Sequence, residues 1–464
     1  MTMCTQTTFD FQGLGRRKVT ADFKGGYLSS DGGGLLLREL EKKLGLIDRL
    51  SGCFTDLRKQ QYVEHPLEQM LRQRIFGLAL GYEDLNDFNR LRYDPLHALL
   101  AERPDLLGMD RLREEDEGKA LAGHATLNRL ELGAQKTDKR YKKIQPNFGA
   151  IEDLLIAEGV KRIPRRSNTI ILDFDATDDP LHGTQEGAFF HGYYKSYCYL
   201  PLYCFCGTIP LWAQLRDAKR DACDGTVEAL EKIVPAIRRR FGKKVKILLR
   251  GDSGFARNAI MEWCEQHDLQ YVVGLAKNKR LKEELEGAYG EIAASVEAGE
   301  ELPQRRFRDF DYQTLTSWSA ERRVVGKAEW LKQGKNPRFV VTNVPREEME
   351  GSELYEQVYC ARGDMENRIK EEQMDLFADR TRTHWKASNQ LRLWFSAFAH
   401  LLVSTLRADV LKGTELAKAT VGQIRLKLFK IGARIQVSCR RVHVEMVSAY
   451  PWFSSFARAH AQTG

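Results

Sequence analysis

The sequence predicts an α/β protein: a mixed β-sheet with flanking helices, interrupted by a β-rich insertion and preceded by a mainly helical domain. Three observations carry that prediction. Helical periodicity dominates residues 1–150, strand-like alternation begins at Thr169, and a further run of strands occupies the stretch before a late amphipathic helix. With 464 residues the chain has room for two or three domains, each with its own core.

In residues 1–150, Ser29-Ser30-Asp31 offers an N-cap and Leu35 to Leu44 follow with helical spacing. Gly32-Gly33-Gly34 lacks the lysine and hydroxyl residue of a phosphate-binding loop, so it reads as a flexible turn before that helix. Leu67 to Leu78 reads as a second helix. Asp84 to Pro95 reads as a third, ended by its proline, and another begins at Ala125. Two compact positive clusters, Lys136 to Lys143 and Lys161 to Arg166, follow; such clusters contact phosphates or solvent.

Residues 151–275 form the first part of the sheet. In Thr169 to Thr177, Ile170, Leu172 and Phe174 alternate with Ile171, Asp173 and Asp175, so both aspartates share one strand face. Gly192 to Cys206 reads as two aromatic-rich hairpin strands, Ala222 to Phe241 as a helix, and Val245 to Gly251 as a strand ending at Asp252. A helix through Ala259 to Glu265 leads to the strand Tyr271 to Ala276. Strands first, then helix and strand in alternation, fit an RNase H-like core. Residues 276–350 read as the β-rich insertion, with strands at Tyr312 to Trp318, Arg322 to Val325 and Arg338 to Thr342. Residues 351–464 carry a helix with Tyr359, Arg362, Glu366 and Lys370 on one face, then a basic helical segment. From Arg380 onward there are 14 Lys and Arg against 3 acids, although the whole chain is only +8. Such a tail suits a polyanionic partner or a solvated helical surface.

Asp175 and Asp252 at strand ends, with Glu366 on a packed helix, are the carboxylates that a pair of Mg²⁺ (or Mn²⁺) ions would require. Taken singly, each acid also reads as a cap or a surface charge, and Arg362, Glu366 and Lys370 as a salt-bridge ladder. Asp173 competes with Asp175 for the same face. The nine cysteines are scattered with no C-x-x-C pair, which points to reduced thiols rather than zinc. No apolar run reaches membrane length, and the first residues have no secretory pattern, so a cytoplasmic protein is expected.

Asp175-Ala176-Thr177, Arg250-Gly251-Asp252-Ser253-Gly254-Phe255 and Tyr359-x2-Arg362-x3-Glu366 together resemble the DDE transposases of bacterial insertion sequences, with the 1380-type group most similar. The likeness runs from Gly25 to beyond Arg407. It implies that double-stranded DNA is the partner, that inverted-repeat ends are cut and joined to a target, and that a homodimer holds two ends on or near the bacterial nucleoid. The helical residues 1–150 would bind the DNA end. The Asp-x-Thr register favours Asp175 as the ligand and leaves Asp173 behind it. Arg362 and Lys370 would hold phosphate, with Tyr359 packing or bonding beside them. Trp318 and Trp330 would stack on a distorted end, or else serve as core. Relatives often carry a lysine at the position of Gln373, and Lys370 is the candidate to replace it. A metal-dependent nuclease and a non-cleaving DNA-binding regulator are the other readings.

Overall fold

A computed structural model describes residues 8–132 and 143–463. Most of the Lys136 to Lys143 cluster therefore lies outside the described residues. The chain divides into two compact units. Described residues up to 132, together with 143–145 and 405–463, form one; residues 146–404 form the other. The basic C-terminal stretch is thus divided, and from residue 405 it belongs with the N-terminal residues.

The first unit is helical with small sheets. Thr8–Leu14 and Arg17–Asp22 form an exposed antiparallel hairpin, and Tyr27–Ser29 pairs with Ala433–Val437, which pairs in turn with Val442–Met446. The predicted helices appear as Leu35–Leu44 and Leu67–Leu80. The Asp84 to Pro95 helix does not form as expected. Pro95 opens a helix, Pro95–Leu100, in which the Asp94 carboxylate accepts from the Leu96 amide at 2.8 Å. Proline fits the first helical position because that amide has no intrahelical partner. Nor is Gly32-Gly33-Gly34 a loose turn: a Cβ on Gly33 would lie 1.7 Å from the Leu428 carbonyl oxygen, so the glycines allow close packing. Part of the basic C-terminal charge serves this unit internally. Lys430 meets Asp31, and the Arg425, Arg407 and Arg458 guanidiniums donate to backbone carbonyls.

The second unit is built on a large mixed sheet. Its main strands are β1 (Thr169–Ala176), β2 (Leu202–Cys206), β3 (Ile209–Gln214), β4 (Lys246–Gly251), β5 (Gln270–Leu275), β6 (Gln304–Tyr312), β7 (Arg322–Leu331) and β8 (Arg338–Thr342), and the two-residue strand Gly334–Lys335 pairs with the end of β7. They lie in the order β3-β2-β1-β4-β5-β8-β7-β6. β1, β4 and β5 run parallel to one another and the remaining neighbours are antiparallel. The expected insertion strands are therefore continuous with the sheet, because β8 pairs along the free edge of β5. Residues 313–318 are a turn rather than strand, held by Thr314 Oγ1 accepting from the Ser317 and Trp318 amides.

Strand alternation separates the two faces of the sheet. Ile170, Leu172 and Phe174 join a core with residues of the helices Phe148–Arg162, Thr226–Phe241 and Asn258–Gln266. On the opposite face Leu248, Val272, Val325 and Val340 pack against Leu354 and Tyr355, at the start of the segment that carries Glu366. The Gly192 to Cys206 reading splits as well. Ser196–Tyr199 pairs with Phe189–His191 in a small separate sheet, while β2 joins the large one.

Candidate active site

The strand register brings the two aspartates together. β1 and β4 are parallel with Asp173 opposite Arg250, so two residues further on Asp175, near the end of β1, and Asp252, just past the end of β4, come side by side. Neighbouring strands lie about 4.8 Å apart, close enough for the two carboxylates to share a cation. Beyond β4 the chain turns at once. Asp252 caps the turn Ser253–Phe255, its Oδ1 accepting from the Gly254 amide at 2.8 Å. Gly274 on β5 makes room for this turn, since a Cβ there would lie 2.6 Å from Tyr359 Oη and 2.9 Å from the Ser253 nitrogen.

The third acid arrives on an irregular helix. Gly363–Lys370 is α-helical, with π-helical turns before it at Leu354–Tyr359 and after it at Glu371–Asp375. Such π-turns recur at functional sites because they re-aim side chains within a helix. Below it, Arg368 meets Glu371 at 2.7 Å, and His400 Nδ1 lies 2.9 Å from Glu372 Oε1 on the buried side. On the cleft side Arg362 bridges two acids, 3.2 Å from Asp175 Oδ2 and 3.3 Å from Glu366 Oε1. Asp175, Asp252, Arg362, Glu366, Lys370 and Gln373 all line one cleft.

Burial pushes the Asp175 carboxyl up, Arg362 opposes this, and the charges of Asp252 and Glu366 add to it, leaving Asp175 at about 6. Burial lowers the Arg362 guanidinium, but Asp175, Tyr359, Asp252 and Glu366 together hold it above its ordinary value. Clustered carboxylates that resist full ionisation favour a cation among them. The all-oxygen donor set suits Mg²⁺ or Mn²⁺. Among the described residues, no three such side chains already stand within reach of one ion. Glu366, about half exposed, instead turns to Arg362, whose guanidinium lies between two of the acids.

A family model described as transposase DDE domain group 1 matches residues 11–463. The chain belongs to that family. It is a DDE-type transposase. No curated protein matches it. Among solved structures, the chain is similar to the cryo-EM structure of a piggyBac transposase synaptic complex with hairpin DNA. The identity is 10%, the TM-score is 0.38, and the match covers 86% of this chain and 79% of that one.

The transposase places its other expected site residues unevenly. Asp173 is fully engaged inside the sheet. Arg250 grips it through two bonds of 2.6 and 2.8 Å and donates to the Val358 carbonyl at 2.8 Å, tying β1 and β4 to the helix that carries Tyr359. Tyr359 lies in an adjoining recess with Ser253 and Gly274. Trp318 is buried in the core, edge-on to Tyr312, which matches its core alternative rather than a stacking role. Trp330 is half-buried against Tyr289 and Lys335; neither tryptophan lines the cleft. Gln373 spends its amide on the Asp178 carbonyl at 2.9 Å, whereas the exposed Lys370 faces the cleft. Sequence reasoning missed Arg250 and the cleft-lining His191, Tyr193 and Tyr194. The signal for Arg250 was its place in step with Asp173, two residues before each catalytic candidate. Among the described residues no helix is long and apolar enough to cross a membrane.

Proposed function

We propose that this transposase binds terminal inverted repeats in double-stranded DNA, cuts them and joins them to target DNA, with Asp175, Asp252 and Glu366 holding Mg²⁺ (or Mn²⁺). The observation that carries the reading is the in-step placement of Asp175 and Asp252 at the ends of parallel neighbours, with Glu366 linked to Asp175 through Arg362. The order β3-β2-β1-β4-β5 supports an RNase H-like core, to which β8, β7 and β6 add the β-rich extension.

When bound, the ions polarise the scissile phosphodiester and stabilise the leaving oxygen. The protein's own groups do the positioning. Arg362 is already aimed at the acids, and its planar fork suits a phosphate drawn in beside them. Lys370 adds a mobile positive charge one helical turn beyond Glu366. Tyr359, packed behind Ser253, orients the turn that carries Asp252. Water attacks first and frees a 3′-hydroxyl, which then attacks the target in line; no covalent enzyme intermediate is needed. Two ends must be held together, so the working complex is a homodimer, acting on the bacterial chromosome in the cytoplasm.

The test is incubation with DNA carrying the element's own ends, with Mg²⁺ present. Joined product supports the full reading. Cut but unjoined product leaves a nuclease, and DNA that is bound yet never cut leaves a regulator.

A further inference from the structure

Beside the acids stands a hairpin that the phosphate chemistry does not use. Phe189–His191 and Ser196–Tyr199 pair antiparallel with Phe190 opposite Tyr197, and those two rings meet edge-to-face at 5.6 Å. Tyr193 at the tip is 84% exposed and packs edge-on against Tyr194 at 5.0 Å; Phe189, Phe190 and Tyr197 are also exposed. The turn closes through the Lys195 amide donating to the His191 carbonyl at 2.8 Å, with Lys195 at φ 54°. Lysine rarely adopts this left-handed conformation, and it sets an exposed ammonium-bearing side chain beside the tip aromatics. Clustered exposed rings on a polar protein mark an interaction surface.

The position of the hairpin identifies the occupant. His191, Tyr193 and Tyr194 line the same cleft as Asp175, Asp252, Arg362 and Lys370. Inside a duplex the faces of the bases are covered by their neighbours, so exposed rings gain little from paired DNA. Bases freed from pairing offer open π-faces, and aromatic rings interleaved with lysine bind them with little regard to sequence. We propose that the 189–197 hairpin, led by Tyr193, is a stacking platform for unpaired nucleobases of the strand entering the cleft. The platform rests on the reading of that cleft as a DNA site.

The experiment uses the full chain in EDTA, so that no cutting intervenes, with a short oligothymidylate carrying one 2-aminopurine and a blunt duplex of equal length. The wild-type protein is expected to quench the 2-aminopurine on binding. Tyr193→Ala should weaken single-strand binding about tenfold and abolish the quench, with duplex affinity and melting temperature unchanged. Tyr193→Trp should restore both signals. Because Tyr193 is exposed, the single variant is expected to fold normally. A Tyr193→Ala protein that binds and quenches like wild type overturns the platform, as does a variant that changes only the oligomeric state, which would assign the surface to a second copy. Wild-type protein that cuts end DNA in the separate assay with Mg²⁺, while Tyr193→Ala binds the strand unchanged in EDTA, overturns the platform alone. Wild-type protein that binds neither strand nor duplex overturns the DNA reading with it.

Discussion

Each unit of the transposase holds an aspartate shielded from water, and the two have opposite environments. In the first unit Asp31 accepts from Tyr82 Oη at 2.6 Å, lies 2.8 Å from His97 Nε2 and meets Lys430 Nζ at 2.6 Å, while the Lys430 ammonium also sits over the Tyr82 ring. Burial raises this carboxyl, but the bonds and charges of His97 and Lys430 outweigh it and hold it at about 2. In the second unit Asp175 opens on a cleft with the Ala176 amide and one guanidinium for partners and two carboxylates for neighbours, and it stands at about 6. Saturated with partners, Asp31 locks its fold. Asp175 is kept short of positive charge, which is how an acid is left ready to bind a cation.

The largest effect that would sharpen this contrast is on cleavage. Asp175→Asn or Asp252→Asn should slow Mg²⁺-dependent cutting of end DNA by at least about 100-fold, because a lost ion ligand costs several kcal/mol of transition-state stabilisation. The same Asp175→Asn change should leave the urea midpoint unchanged or slightly raised, since it removes a carboxylate repelled by its neighbours. Full cutting by Asp175→Asn would remove Asp175 from the site.

Stability should respond the other way at the locked acids. Asp31→Asn leaves Lys430 without its buried partner, and Arg250→Met leaves Asp173 alone inside the sheet. Each is expected to cost about 3–5 kcal/mol in urea unfolding. If Asp175→Asn destabilises as much as Asp31→Asn, the contrast between locked and poised acids fails.

Acidity should move the first unit in two directions. The Asp31 pKa is depressed when folded, so its contribution is present above about 4 and is lost as pH falls toward 2. Glu41 is pushed up to about 7 by burial, so its contribution is present below 4.5 and is lost as pH rises through 7. Asp31→Asn should shrink the acid limb of a urea-midpoint profile, to which other depressed carboxyls such as Asp56 and Asp105 also contribute, and Glu41→Gln should flatten the limb near neutrality. An unchanged profile in Glu41→Gln would show that the carboxyl ionises freely in the folded protein.

The smallest expected difference lies on the helix that carries Glu366. Lys370→Ala should slow cutting severalfold, and more than Gln373→Ala, whose amide holds the Asp178 carbonyl instead of facing phosphate. A larger loss in Gln373→Ala would return the phosphate contact to that amide.

The chain's residues by themselves determined the family, the three candidate acids and most of the strands of the large sheet. Those features depend on local pattern: alternation in Thr169 to Thr177, the Arg-Gly-Asp-Ser-Gly-Phe turn, and the three-and-four spacing from Tyr359 to Lys370. What only the tertiary structure decided depends on partners distant in sequence. Asp173 and Asp175 share a strand face and are alike in sequence, yet one is gripped by Arg250 and the other faces the cleft, because β4 runs in step with β1. Trp318 and Tyr193 are both aromatic residues in turns, and only packing against Tyr312 buries the first while the second stays in water. The residues from Arg380 onward read as one basic tail, yet after residue 404 part of that charge meets Asp31 and backbone carbonyls of its own unit, while Lys412, Lys418, Arg434, Arg440 and Arg441 stay exposed. Charge and ring count are properties of the sequence, whereas burial is set by neighbours that local pattern does not specify.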